Sequence, residues 1–510
     1  MPQTETGPQP LVRPLDEHNR ELIRHVHPPE WEAPRPAEQY HLVVVGAGTG
    51  GLVTAAIAAG LGARVALVER RLMGGDCLNV GCVPSKAVIR AARAWQAARE
   101  ARERFGGPAV AGDGDFAAVM ERMRRIRADI SQVDGAARFR ELGVDVFLGD
   151  ASFTGPDALL VDGERLRFRR AVIATGSHAA APEIPGLEQA GYLTNETLFE
   201  LTALPERLVV IGGGPIGCEM AQAFARFGSR VTLVERADRL LVHDDPDAAE
   251  VIRAAFERHG IELCFGAEVE SVERRGEDRV VHYRQNGDAG EVSGDALLVA
   301  IGRAPSLDGL ELEKAGVRHA RTGIETDDRL QTTNGSVFAV GDVASKYQFT
   351  HVADAHARMV VRNALFFGRE KASELVIPWC TYTTPELAHV GIGWEEVRER
   401  GDDVDTITVD LEEVDRARLD GETAGFFRVH LEAGSDRILG ATLVAEHAGE
   451  IISQVTAAMV AGNGLETLGA TIFPYPTQAE VIRRAADAAR RRKLTPLAKS
   501  VFGTYFRVLS

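Results

Sequence analysis

Cysteine is scarce in this chain: Cys77, Cys82, Cys218, Cys264 and Cys380 are the only five in 510 residues. So few exclude a small secreted design in which disulfides replace a core. Positive charge is also short, with 58 Lys and Arg against 74 Asp and Glu and a net charge of −16. A nucleic-acid binder needs a basic face, so none is expected as a partner. There is no long apolar run free of breakers. Leu42 to Ala63 carries no charge and would reach across a bilayer on a simple count. It contains Gly46, Gly48, Gly50, Gly51, Gly60 and Gly62, and a strand, a glycine turn and a helix explain it better. Residues 1–40 have no apolar signal-like stretch and read as a polar arm. The expected setting is cytoplasmic. What the chain does have is ordinary: 45% hydrophobic and 26% charged residues, enough for large cores over roughly three or four domains.

His41 to Val45 is a buried parallel strand by pattern, Leu52 to Leu61 a helix, and Arg64 to Glu69 a second strand. The unit recurs as strand Leu208–Ile211, helix Gly217–Phe227 and strand Arg230–Glu235. Each carries a glycine turn. Gly46, Gly48 and Gly51 fit G-x-G-x-x-G, as do Gly212, Gly214 and Gly217. The first glycine permits the turn, the second lets backbone approach a pyrophosphate, and the third lets helix and strand close. The helix N-terminus adds N–H donors and a positive dipole end. Glu69 and Glu235 end the second strands, where a carboxylate binds a ribose 2′-OH. Glu235 would repel a 2′-phosphate, so NADH is preferred over NADPH, although Arg236 and Arg239 oppose that preference.

Cys77 and Cys82 form a C-x4-C pair within Gly74-Gly75-Asp76-Cys77 and Cys82-Val83-Pro84-Ser85-Lys86. Pro84 suits a first helical turn and places Cys82 near a helix N-terminus, where a thiol pKa falls. Lys86 adds positive charge. A zinc half-site is the alternative, but no second Cys/His pair stands at metal spacing, so no metal site is assigned. Cys218 and Cys264 read as inert core thiols. Cys380 is open between a core role and a metal role. His351 and His356 read as local hydrogen-bonding groups.

The two loops, the cysteine pair between them, Ala174-Thr175-Gly176 and Gly341-Asp342 together resemble the flavin-dependent pyridine nucleotide–disulfide oxidoreductases, a family that includes glutathione reductase, dihydrolipoyl dehydrogenase and mercuric reductase. The likeness covers about residues 41–485. It implies an α/β fold: two Rossmann-like dinucleotide-binding domains, for FAD and NAD(P)H, and a C-terminal α+β dimerisation domain. The expected division is an arm at 1–40, an FAD domain at 41–195 and 309–372, an NAD(P)H domain at 196–308, a dimerisation domain at 373–489 and a basic tail at 490–510. The likeness implies that Cys82 faces the flavin and Cys77 exchanges with substrate. Lys86 would sit by the flavin N5, paired with Glu219, and Asp342 would hold the ribityl chain. Ala151, Thr175, Gly176, Val269 and Gly302 join the implied cofactor contacts. A homodimer is implied, each active site being finished by the other copy's C-terminal motif.

That motif separates the family's members. Disulfide reductases carry His-Pro with Glu four positions after the Pro. Here the chain reads Phe473-Pro474-Tyr475-Pro476 and retains Glu480. Dithiol–disulfide exchange needs a base titrating near neutrality, and a phenol with an ordinary pKa of about 10 is a poor one. Mercuric reductases resemble the motif, with Phe-Pro-Tyr in the same place. A soft metal ion displaces thiol protons with less help. The expected acceptor is therefore a soft metal ion such as Hg(II), with a quinone or a disulfide as alternatives. Two departures stand against it. No cysteine follows Cys380, whereas mercuric reductases carry a C-terminal Cys-Cys pair, and residues 1–40 hold no cysteine pair. A dihydrolipoyl dehydrogenase-like reductase and a redox-sensing or membrane-attached flavoprotein are the other readings. The tail, with Arg490, Arg491, Arg492 and Lys493 before Phe502, Tyr505 and Phe506, suits either a membrane surface or packing on its own subunit.

Overall fold

A computed structural model describes residues 12–110, 112, 114–180, 182–492 and 496–509. Lys493 and the first 11 residues of the arm lie outside the described residues. The fold is α/β. The first sheet runs Val144–Leu148, Val65–Glu69, Tyr40–Val45, Glu164–Ile173, Ala158–Val161 and Ala151–Gly155 in spatial order, with Val337–Ala339 also on Glu164–Ile173. Leu42, Val43 and Val44 are fully buried, as a central parallel strand requires. Each such side chain contributes about 1.5–3 kcal/mol of burial.

Glu164–Ile173 serves two arrangements. Its first half pairs antiparallel with Ala158–Val161, and its second half runs parallel to both Tyr40–Val45 and Val337–Ala339. The second nucleotide unit is a four-stranded parallel sheet in the order Glu262–Cys264, Arg230–Val234, Arg207–Ile211 and Ala296–Val299. The last unit is a five-stranded antiparallel sheet, Pro378–Thr381, Glu386–Gly391, Ile438–Ala445, Phe426–Glu432 and Val404–Asp410. The helices Ala448–Val460 and Glu480–Arg492 share one apolar core with it.

The element that positions the site is the helix Cys82–Phe105, 24 residues long. Gly81 caps its start, and Gly106, at φ 65°, ends it in the left-handed conformation. Its Val88 and Ala92 share a core with Phe224 and Phe227 of the helix Pro215–Phe227. Trp95 meets Phe227 edge-on at 5.0 Å. The C-terminal helix Pro496–Leu509 leaves Phe502, Tyr505, Phe506, Val508 and Leu509 exposed. Packing on its own subunit is therefore not realised for these residues. Among the described residues, no helix is long and apolar enough to cross a membrane.

Candidate active site

Both glycine turns are built from the same contacts. Gly46 (φ 98°) and Gly212 (φ 109°) adopt the glycine-favouring conformation. A Cβ on Gly51 would lie 1.8 Å from the Gly46 carbonyl oxygen, and one on Gly217 2.0 Å from that of Gly212. Any side chain there pushes the helix off its strand. The helices Thr49–Gly60 and Pro215–Phe227 begin after Gly48 and Gly214, and no side chain caps either. Their first N–H groups have no partner within the helix, so both ends are left open for an anion. Each turn is also clasped by its glutamate. Ala47 N donates to Glu69 Oε2 at 2.7 Å and Arg71 N to Glu69 Oε1 at 2.8 Å. Gly213 N donates to Glu235 Oε2 at 2.5 Å and Ala237 N to Glu235 Oε1 at 2.7 Å. Burial pushes the Glu69 carboxyl up, opposed by the bond from Ala47. Sequence reasoning assigned these acids to ribose and missed the clasp. The signal available was their like spacing from the glycine turns.

A cavity of ≈ 1630 Å³ joins the two turns to the cysteine pair. Thr175, Gly176, Val269, Gly302 and Asp342 line it as well. Uncapped helix ends and close-packed glycines beside one large cavity fit two dinucleotides. Ala151 stands apart, opening the strand Ala151–Gly155 and packing on the core that holds Val68 and Phe147. Asp342 accepts from Ser177 Oγ at 2.6 Å. Arg303 approaches Asp342 at 3.8 Å and pairs with Asp76 at 3.0 Å, tying the cysteine turn to the strand Arg303–Pro305, which pairs with Ser177–Ala179. Sequence reasoning missed this link, because nothing local announces it.

Cys82 is the first residue of its helix and opens into the cavity, while Cys77 is half-buried. Cys82 borders the cavity rather than bulk water, which reconciles its exposure with the protein crowded around it. Its thiol pKa is lowered to about 6 by the hydrogen bond from Cys77, by Thr350 and by the charge of Lys86, against burial. Its Sγ lies 3.3 Å from Thr350 Oγ1. Cys77 is pushed up by the same shared hydrogen bond and by burial. The pair therefore favours the thiolate on Cys82 and the proton on Cys77.

Lys86 Nζ donates to Glu219 Oε2 at 2.8 Å, and Tyr382 N donates to Glu219 Oε1 at 2.9 Å. Lys86 also stands over the Tyr382 ring at 4.6 Å. Glu219 is buried, so both its oxygens are satisfied where an unpaired carboxylate would be costly. Burial, then Glu386, push the Cys380 thiol well up, and Cys218 is likewise raised by burial. The Cys264 thiol is raised as well, chiefly by burial. Gly341 N donates to the buried His356, the local role expected of that ring. No group of three or more potential metal ligands occurs among the described residues.

Tyr475 and Glu480 are not brought to this cavity. Tyr475 is 71% exposed, and its Oη donates to Asp415 Oδ2 at 3.1 Å. That bond raises its pKa further from neutrality. Glu480, 5% exposed, pairs with Arg483 at 2.6 Å and Arg484 at 3.5 Å.

Residues 40–357 match the family model described as pyridine nucleotide-disulphide oxidoreductase, and residues 377–486 match its dimerisation domain. The chain is similar to a mercuric reductase of Lysinibacillus sphaericus, 35% identical over 93% of this chain and 87% of that protein. It is also similar to a dihydrolipoyl dehydrogenase of Bacillus subtilis (strain 168), 30% identical over 89% and 98%. Among solved structures it resembles the HOCl-induced flavoprotein disulfide reductase RclA from Escherichia coli, determined as a Cu(II) complex. The TM-score is 0.78 at 30% identity, covering 87% of this chain and 98% of that one.

Proposed function

The chain belongs to the pyridine nucleotide-disulphide oxidoreductase family, and from that premise we propose that it carries electrons from NADH by way of Cys77 and Cys82 to a soft metal ion such as Hg(II). Its cofactors are FAD and NAD(P)H, and its dimerisation domain supports a homodimer. FAD, when bound, supplies the two-electron relay between the nicotinamide and the cysteine pair.

The residues of the chain divide the remaining work. Gly46, Gly48 and Gly51 hold the FAD pyrophosphate, and Gly212, Gly214 and Gly217 that of NADH. Lys86, fixed by Glu219, would supply positive charge to the flavin when it is bound, and Asp342 would help hold it. Cys82 would be the sulfur on the flavin side, and Cys77 would meet the acceptor. A second copy brings its Tyr475 and Glu480 to orient that acceptor.

The observation that carries the metal reading is Tyr475, a phenol in the family's histidine position with a pKa raised by Asp415. Such a group is a poor base for lipoamide exchange, whereas soft metals bind thiolates avidly. The mercuric reductase relatives support the same acceptor, and a structural neighbour forms a complex with another metal ion, Cu(II). The dihydrolipoyl dehydrogenase relative supports a second reading. Anaerobic NADH oxidation by the FAD-loaded protein separates them, with Hg(II) buffered by excess thiol in one arm and lipoamide in the other. The metal reading expects fast oxidation with Hg(II) alone. Fast oxidation with lipoamide alone would overturn it.

A further inference from the structure

With Tyr475 raised and committed to Asp415, the proton on Cys77 needs another destination. His351 lines the cavity that holds both cysteines. It follows Thr350, whose hydroxyl lies 3.3 Å from Cys82 Sγ. The imidazole is held in place. It stacks on Phe349 at 5.3 Å and 9°, and Phe349 stacks on Trp379 at 6.4 Å and 11°. Trp379 is anchored by donating from its indole to the buried Asp244 at 2.8 Å. One bond also sets the tautomer of the ring: His351 Nε2 lies 2.7 Å from the Pro378 carbonyl oxygen. A carbonyl only accepts, so Nε2 carries the hydrogen and Nδ1 keeps a free lone pair. No other hydrogen bond of this side chain occurs among the described residues.

We propose that His351 is the catalytic base of the cysteine pair, taking the Cys77 proton on Nδ1 as that sulfur bonds to the acceptor. The proposal rests on the reading that Cys77, not Cys82, meets the acceptor. With a metal ion, the Cys77 sulfur forms a bond to the metal and the proton stays on the imidazole until released to water. With a disulfide, Cys77 attacks one sulfur, the S–S bond breaks, and the leaving thiolate takes the proton back from His351. The Cys82 thiolate then attacks Cys77 Sγ, restores the Cys77–Cys82 bond and expels the second thiolate. The dithiol is oxidised by two electrons and the acceptor disulfide reduced by two. Imidazole is the side chain suited to proton transfer near neutrality, and this one is supplied by the same subunit as the cysteines.

The test needs no physiological acceptor. The FAD-loaded full-length protein is reduced anaerobically with NADH and treated with iodoacetamide at neutral pH, and Cys77 alkylation is followed by peptide mass mapping. His351→Phe and His351→Gln are compared with the parent, with flavin content as the measure of folding. Both variants are expected to lower the Cys77 rate about tenfold, since only the thiolate alkylates. The Gln variant keeps a donor for the Pro378 carbonyl but has no basic nitrogen. A parental rate in His351→Gln would reduce His351 to a structural prop and overturn the proposal, as would parental rates in both. If His351→Phe loses flavin, the Gln variant decides alone. If Hg(II) and lipoamide both fail as acceptors, the alkylation result is unaffected.

Discussion

The first and second glycine turns are nearly one design used twice, down to the carboxylate that clasps each loop, yet the helices that follow them differ in purpose. At the position where the second helix carries Glu219, the first carries Val53. Glu219 reaches the redox helix through Lys86, and among the described residues no polar contact of the first helix does so. On the proposed function the first cradle would only hold its dinucleotide, whereas the second would also brace the chemistry. A third helix end, at Cys82, faces the same cavity. There the anion is the protein's own thiolate instead of a phosphate. Three helix N-termini thus border one cavity, and on the proposed function two would take bound anions and one the protein's own thiolate.

The largest expected effect tests whether the cradles are independent. Gly51→Val is expected to abolish FAD binding, because even a Cβ would sit 1.8 Å from a carbonyl oxygen. Gly217→Val should retain flavin while weakening NADH binding about a hundredfold, or ~3 kcal/mol. Flavin absorbance of the purified protein and NADH titration read the two outcomes, and flavin loss in both variants would break the comparison.

Next comes the thiolate at the third helix end. The Cys82 pKa falls from 9.0 to about 6, so the thiolate is present above that value and protonates as pH drops through it. Between those limits Cys82 is thiolate where an ordinary cysteine is still largely thiol. Thiolate ultraviolet absorbance of the reduced protein, less that of Cys82→Ser, should fade near pH 6. Fading near pH 9 would remove the analogy with the phosphate-binding ends.

A smaller change is expected from Glu219→Val, which writes the first helix's residue into the second. It leaves Lys86 without its partner and should slow NADH-dependent turnover about tenfold to a hundredfold, with NADH affinity unchanged. Unaltered turnover would show that the two helices do not differ in purpose. Smallest of all, Glu235→Ala should shift preference toward NADPH by about tenfold or less, since a repelled 2′-phosphate is accepted once the carboxylate is gone. The ratio of kcat/KM for the two nucleotides measures it. Glu69→Ala should leave that ratio alone.

Much of this site was legible in the chain because its parts are local. Glycine turns, the strand before each and the C-x4-C pair all lie within short windows. Even there the helices start earlier than the sequence pattern predicts. The helix expected from Leu52 begins at Thr49, and the one expected from Gly217 begins at Pro215. Glycine and proline are poor helix formers in general, but at a first turn they suit a bound anion and a preset φ. What stayed hidden was non-local. Thr350 meets Cys82 across 268 positions, Arg303 meets Asp76 through a fold-level closure, and Tyr475 turns to Asp415. No periodicity encodes such meetings. They exist only once the sheets have set the distances.

The strand Glu164–Ile173 gives the protein a timetable. Its inner half keeps one edge bare until Val337–Ala339 arrives, with the whole second nucleotide unit translated in between. During synthesis that apolar edge is a template for any passing strand. The intervening unit has its own parallel sheet and can fold while the first waits. A chain released at residue 330 should therefore aggregate through an open seam, and one released at residue 345 should have that seam closed.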